Sequence, residues 1–385
     1  MNNHAIITAP GDPSHDKVVE REHSGNQQAR ATLYVREHPS LIKDAIFSGE
    51  PMEGMKSDAF MFIELRRILL QRGYLLATQD IHPPADSAFV LCVDNSLPFQ
   101  CMPKPANQPW YLLLSEPATY HAHNYLTENQ RVFDRIFTYN HTLVDNQRYF
   151  HYRFAIDFES YPAFVAVTEA EFTARKLCAL VASSFGVSKP RPGSGSLLHE
   201  RYKVLKWFSE HHAQEFDFYC RYLDPEELKS IPGASVLKKI LPAAFFNWLG
   251  QQRRRVFERV LRGPIPPDEK ISRLRDYRFA VAYENTGNVP GYLTEKIFDC
   301  FAAAVVPIYL GAPDVTHIIP SDCFIDRRDF ASHEDLYAFI EQMQYSQYAA
   351  YIKAMQQYLA GSKPTQLTSA ANAQSISRLI LQDVT

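Results

Sequence analysis

Short uninterrupted apolar runs alternate along the chain with stretches in which apolar residues recur every three or four positions. This alternation predicts a doubly wound α/β architecture. "ATLYV" at 31–35 reads as a strand, and "DAFMFIELRRILLQRGY" reads as a helix with Phe62, Leu65, Ile68 and Leu69 on one face, closed by Gly73. "AFVLCVD", "PWYLLLSE" and "RIFTYN" follow as near-continuous apolar strands, the pattern of parallel strands covered on both faces. These elements predict a first Rossmann-like domain over 31–170, behind a flexible polar leader at 1–30. A second series runs from "TEAEFTARKLCALVASSFG" through the helix "HERYKVLKWFSEHH" and the strand "EFDFYC" to "YRFAVAYEN", a helix opened by Thr294, "AVVPIYL" and "CFID". It predicts a second Rossmann-like domain over 171–345, and a C-terminal helical tail over 346–385.

With 385 residues, 46% hydrophobic and 22% charged, the chain can fill two cores. Its formal net charge of -3 gives no global attraction to nucleic acid, so an anion site has to be local. The six cysteines are scattered without a CxxC pair, which predicts reduced, buried thiols and neither disulfides nor zinc. No stretch joins a basic region to an apolar one as a signal peptide does, and no apolar run reaches eighteen residues, so a cytoplasmic location is expected. One segment departs from the even charge distribution: "SVLKKILPAAFFNWLGQQRRRVFERVLRG", within a basic insertion at about 224–264, sets seven cations against Glu258. It reads either as a solvated helical pair or as a surface for peripheral contact with anionic lipid at the inner membrane face. "PGSGS" at 192–196 reads as a flexible loop.

The chemistry concentrates in "GYLTEKIFDCFAAA". Thr294 is a competent N-cap, Glu295 and Lys296 fall in the first turn, and Ile297, Phe298, Phe301 and Ala304 form the buried face. Free N–H groups and the positive end of the helix dipole favour an anion there, and Lys296 adds a full charge suited to a diphosphate. Pairing of Lys296 with Asp299 or Glu295 is the plainer alternative. Neither GxGxxG nor GxxxxGK[ST] occurs, which removes the main support for dinucleotide or P-loop readings.

The ordered elements "YRFAVAYENT", "GYLTEKIFDCFAAAVVPIYLGAP" and "IPSDCFIDRRDF" resemble the C-terminal signature of family 10 glycosyltransferases, the α-1,3/4-fucosyltransferases that use GDP-fucose. The upstream stretches "LCALVASSFG", "HERYKVLKWFSEH" and "EFDFYC" are similar to further family elements, more weakly. The resemblance implies a GT-B architecture, two Rossmann-like domains facing across a cleft, with the donor on the second and the acceptor on the first. It implies that Arg201 binds phosphate, that Asn285, Tyr292, Thr294, Lys296 and Glu284 contact the donor, and that Glu295 faces the sugar. Thr286, Ser184, Cys220 and Cys323 depart from the family pattern, and "VSKPRPGSGSLLH" lengthens the approach to Arg201.

No Asp-x-Asp occurs, so the usual carboxylate pair for a nucleotide-bound metal is missing and no metal cofactor is expected. Cations of the chain then have to neutralise the leaving diphosphate. An inverting transfer from GDP-β-L-fucose to an oligosaccharide or glycolipid hydroxyl also needs a base. Glu116, at the end of a first-domain strand, is the favoured carboxylate and Asp94 the runner-up. His121 and His123 are acceptor-side candidates. Transfer from a different GDP-sugar, or a non-catalytic nucleotide-sugar-binding module docking on a membrane or partner, are the alternatives.

Overall fold

A computed structural model describes residues 28–49, 56–185, 195–223 and 257–384. Lys238, Lys239, Pro242 and Arg253 to Arg255 of the basic insertion, and Pro192 to Ser194, lie outside the described residues.

Each half is built on a six-stranded sheet. The first comprises β1 (Ala29–Tyr34), β2 (Tyr74–Thr78), β3 (Val90–Val93), β4 (Trp110–Leu114), β5 (Arg135–Thr138) and β6 (Tyr149–His151), in the order β2-β1-β3-β4-β5-β6. Every pairing is parallel, with Leu91 opposite Tyr111 and Leu112 opposite Ile136. The second comprises β7 (Lys176–Phe185), β8 (Phe216–Leu223), β9 (Leu261–Gly263), β10 (Tyr277–Tyr283), β11 (Val306–Leu310) and β12 (Ile325–Asp326), again parallel throughout, in the order β12-β11-β10-β7-β8-β9. The strand order reverses between β1 and β3 in one sheet and between β7 and β10 in the other. Crevices outside the carboxyl ends of strands open at such reversals.

The helices are α1 (Lys56–Leu70) and the single turn α2 (Thr127–Gln130) in the first half. In the second half come α3 (Glu169–Ala174), α4 (Leu198–His211), α5 (Lys270–Leu274), α6 (Glu295–Ala302), α7 (Val315–Ile318), α8 (His333–Glu341) and α9 (Tyr345–Leu359), followed by α10 (Ser369–Val384). Helix α1 buries Phe62, Leu65 and Leu69 as its spacing predicts, and Gly73 takes the left-handed φ of 85° that lets the chain turn into β2. Helix α3 starts on a reciprocal capping box between Thr168 and Glu171.

Residues 346–385 do not form one appendage. Tyr348, Ile352 and Met355 of α9 join the core of the second sheet. Ala373, Ile376 and Ile380 of α10 instead complete the core of the first sheet beside α1, where Tyr111 Oη donates to Asp383 and Arg135 pairs with the same carboxylate. The chain therefore crosses between the domains twice. A helix with its own apolar face has to bury it somewhere, and here the open face lies on the first domain.

Two smaller expectations change. Cys101 is exposed at the end of a 3₁₀ turn, while Cys92, Cys178, Cys220, Cys300 and Cys323 are buried thiols. At the described edge of the Gly-x-Gly loop, Gly195 is docked rather than loose. Its φ is 66°, its carbonyl accepts from Gly287 N–H at 2.6 Å, and an added Cβ would lie 2.7 Å from the Gly287 carbonyl. Only a glycine permits that approach.

Candidate active site

The carboxyl end of β10 sets the second-domain half of the site. Burial of β10 carries Glu284 into the interior with no exposed surface, so its carboxylate must be met by internal donors. One oxygen accepts the Thr294 N–H at 2.8 Å; the other accepts the Thr294 hydroxyl at 2.7 Å and lies 3.2 Å from Lys296 Nζ. Glu284 is thus a clamp on the start of α6, both of its oxygens already accepting from Thr294. Thr294 makes no side-chain cap to α6, because its hydroxyl faces Glu284 and accepts from Lys296 Nζ at 2.9 Å. The first N–H groups of α6 are left uncapped by that side chain, as an anion site requires.

Lys296 also lies 3.6 Å from Glu295 and keeps 21% of its side-chain surface exposed. Glu295 is held well ionised, down to about 2, by Lys296 first and then Lys270, against the opposing pull of burial. The expected pairing of Lys296 with Asp299 does not occur: Asp299 pairs with Lys270 and accepts the Tyr161 hydroxyl at 2.8 Å. Lys270 is a cation that motif reading missed. It stands alone in a stretch matching no recognised element, and only the packing of α5 against α6 brings it in.

Arg201, on the first turn of α4, is 6% exposed. Its Nε donates to the Tyr283 carbonyl at 3.1 Å, and its Nη2 to the same carbonyl and to Asn285 Oδ1 at 2.8 Å. Burial lowers its pKa, opposed by the nearby Glu284, Tyr120, Tyr292 and Glu295. Three guanidinium hydrogens are therefore engaged, leaving the Nη1 pair for another acceptor. Arg201, Lys270 and Lys296 line a common cavity of about 20 Å³ together with Tyr283 and Asp299, room for about one water. Arg201 of α4 and Lys296 of α6 thus come from separate helices to one cavity.

The first-domain half faces this cluster. Glu116, directly after β4, has its pKa raised by burial and, opposing that, lowered by Lys296 and Arg36; Glu295 adds to the rise. The carboxylate of one domain thus feels the charges of the other. Tyr120 feels Arg201, Glu116 and Lys296 in the same way. Across the seam, Thr119 and Thr286 hydroxyls meet at 3.2 Å, and the Tyr292 ring packs 5.2 Å from both Tyr139 and Phe154. Tyr292 is 3% exposed, and its hydroxyl makes no hydrogen bond among the described residues.

Asp94, the runner-up base, serves Glu116 instead. It adopts a left-handed φ of 46° and accepts the Ser115 and Glu116 N–H groups at 2.9 Å each, together with the Ser115 hydroxyl. Burial pushes its pKa up to about 8, against the lowering effect of Ser115. Its oxygens are committed to the turn that presents Glu116. The rings of His121 and His123 lie 5.5 Å apart, tilted by 58°, at the following 3₁₀ turn, and His121 Nδ1 is buried without a partner among the described residues. Burial and His123 lower the His121 pKa. Arg36, just beyond β1, was invisible to motif reading yet acts on both Glu116 and His121.

Residues 239–377 match the family described as glycosyltransferase family 10 (fucosyltransferase), C-terminal part. The chain is similar to alpha-(1,3)-fucosyltransferase 7 of Rattus norvegicus, 34% identical over 99 residues, covering 25% of this chain and 26% of that protein. It is also similar to an alpha-(1,4)-fucosyltransferase of Arabidopsis thaliana, 38% identical over 80 residues, or 20% of each. The matched stretch thus spans about a quarter of the length of these curated relatives. Among solved structures, Anabaena Alr3699/HepE in complex with UDP and glucose superposes with a TM-score of 0.56 at 9% identity, covering 91% of this chain and 99% of that one. At that identity the likeness is one of fold, and the fold is GT-B.

Proposed function

We propose that this chain, a member of glycosyltransferase family 10 by its C-terminal signature, transfers L-fucose from GDP-β-L-fucose to a hydroxyl of an oligosaccharide acceptor, with inversion and without a metal ion. The observation that carries the reading is the seam beside Glu116: Thr119, three residues on, meets Thr286 of the other domain at 3.2 Å, and Lys296 and Glu295 of that domain act on the Glu116 carboxyl. A binding module needs the cations; it has no use for a half-buried carboxylate with a raised pKa opposite them.

In this reading the acceptor hydroxyl gives its proton to Glu116 as its oxygen bonds to the fucose anomeric carbon. The bond from that carbon to the diphosphate breaks, and its electron pair leaves with GDP. Raising the pKa of Glu116 brings it nearer the operating pH and makes it a stronger base once ionised. Positive charge grows on the anomeric carbon, and Glu295, kept anionic by Lys296 and Lys270, is suited to stabilise it. Negative charge grows on the departing diphosphate. Lys296, the free N–H groups opening α6 and the remaining Arg201 hydrogens are suited to receive it. Asn285 and Tyr292 supply neutral donors beside them.

Among the described residues no group of three or more His, Cys, Asp or Glu side chains is arranged to hold a metal. No described helix is long and apolar enough to cross a membrane. An α-1,3 or α-1,4 linkage follows the relatives named above, and peripheral membrane contact through the basic insertion is the remaining expectation. Radiolabelled transfer from GDP-fucose across a glycan array tests the activity. Product with an α-anomeric signal, undiminished by EDTA, is expected; absence of product with every glycan, or a strict Mn²⁺ requirement, would overturn the reading.

A further inference from the structure

A second cavity lies at the seam, behind the loop that carries Tyr292 and Thr294. It measures about 340 Å³, within the ~300–1,000 Å³ range of small-ligand sites. The first domain contributes His141, His151, Arg153 and Phe154, and the second contributes Gly291, Leu293, Asp314, His317, Ile318 and Leu367.

Its electrostatics are one-sided. The only carboxylate in the lining, Asp314, is already occupied: it accepts the Gly291 N–H at 3.0 Å and lies 3.2 Å from His141 Nδ1. Arg153 has no such partner. Its backbone N–H donates to Asn372, but among the described residues its guanidinium makes neither an ion pair nor a hydrogen bond. Partial burial lowers the pKa of that guanidinium, which marks it as a charge held away from water without compensation. The neighbouring His151 is pushed down to about 4 by burial, then by Arg153 and His141. The imidazole of His317 is likewise without a partner among the described residues. A ligand-sized cavity, an unpaired guanidinium and imidazoles able to donate together select an oxyanion.

We propose that this interdomain cavity binds a small organic anion, sugar-sized and bearing a carboxylate or a phosphate, with Arg153 as its principal anchor. The site is separate from the Arg201, Lys270 and Lys296 cluster, since no residue lines both cavities. An occupant would touch both domains at once, directly behind the loop leading into α6.

Calorimetric titration of the full chain with glucose 6-phosphate, glucuronate and glucose tests this, using the unmodified protein and its Arg153→Met and Lys296→Met variants. At least one anion should bind at least about tenfold more tightly than glucose, and Arg153→Met should weaken it by about tenfold or more, the scale of a charge-assisted hydrogen bond. Lys296→Met should leave that affinity unchanged. Binding of glucose 6-phosphate alone assigns a phosphoryl ligand, and binding of glucuronate alone a carboxylate; either supports the site. The proposal fails if neither anion binds, if glucose binds equally well, or if Lys296→Met rather than Arg153→Met removes the binding. Should Arg153→Met fail to fold, His317→Gln, at an exposed position, takes its place with the same expected direction of change. These readouts need no fucose transfer, so they stand or fall apart from the enzymatic reading.

Discussion

The two domains present the same kind of edge, the carboxyl ends of parallel strands at a reversal of strand order, and equip it differently. At the second domain the edge is crowded with charge: Lys296 pairs with Glu284 and Glu295, Lys270 pairs with Asp299, and Arg201 lines the same cavity as the two lysines. At the first domain Glu116 stands on a turn pinned by Asp94, with Arg36 of its own domain acting on its charge. A dense charged cluster in which Arg201 keeps its Nη1 hydrogens for another acceptor suits a job of holding charge that arrives with a ligand. A carboxylate kept partly dry and sparsely paired suits a job of taking a proton. On the proposed reading the contrast separates gripping from reacting.

That separation can be broken by mutation. The largest effect should come from Glu116→Gln, which removes the base while keeping the shape: kcat for transfer should fall by about 10²–10⁴-fold with GDP affinity unchanged in calorimetry. Comparable loss of GDP binding would put Glu116 in the gripping half. Lys296→Met should do the reverse, weakening GDP by about ten- to a hundredfold, the scale of one charged hydrogen bond in a partly buried site. Glu284→Ala should act on stability, costing about 3–5 kcal/mol in urea unfolding, because it leaves Lys296 and Thr294 without their buried acceptor. A value under about 1 kcal/mol, the scale of an exposed pair, would mean that the clamp is not holding α6.

The mildest test is pH. As the proposed base Glu116 must be ionised, and its folded pKa is raised, so kcat should climb with pH through an apparent pKa above the ordinary glutamate value of about 4.3. Asp94→Asn keeps a hydrogen-bonding side chain at that turn but replaces one of the two carboxylate oxygens that accept the Ser115 and Glu116 N–H groups with an amide nitrogen. It should lower kcat several-fold and leave KM for GDP-fucose alone. A profile unchanged in Asp94→Asn, with full kcat, would remove Asp94 from the presentation of Glu116.

The contrast between the domains also decided what could be read from the sequence. The second-domain part of the candidate site could be outlined from the sequence because Asn285, Tyr292, Thr294, Glu295 and Lys296 lie within a dozen residues, and a helix start fixes their geometry locally. Apolar runs announced β4, β7 and β10 for a similar reason, since strands covered on both faces need no partner to be recognised. Short strands such as β6, Tyr149–His151, carry too few residues to show a period. Lys270 and Arg36 reach the site through packing between elements far apart in the chain, which no spacing records. The same holds for Glu284: its type and position were visible, but its complete burial and its commitment to Thr294 depend on how β10 meets the loop before α6.

Helix α10 gives the molecule an unusual order of assembly. Chains emerging from a ribosome ordinarily let their first domain fold while the rest is still being made. Here the flank of α1 stays uncovered until Ile376 and Ile380 have been synthesised, well after the second sheet is complete. The earlier-made half is therefore the later one to reach its final packing, and a product halted before residue 369 would carry a finished second core beside an unsealed first one.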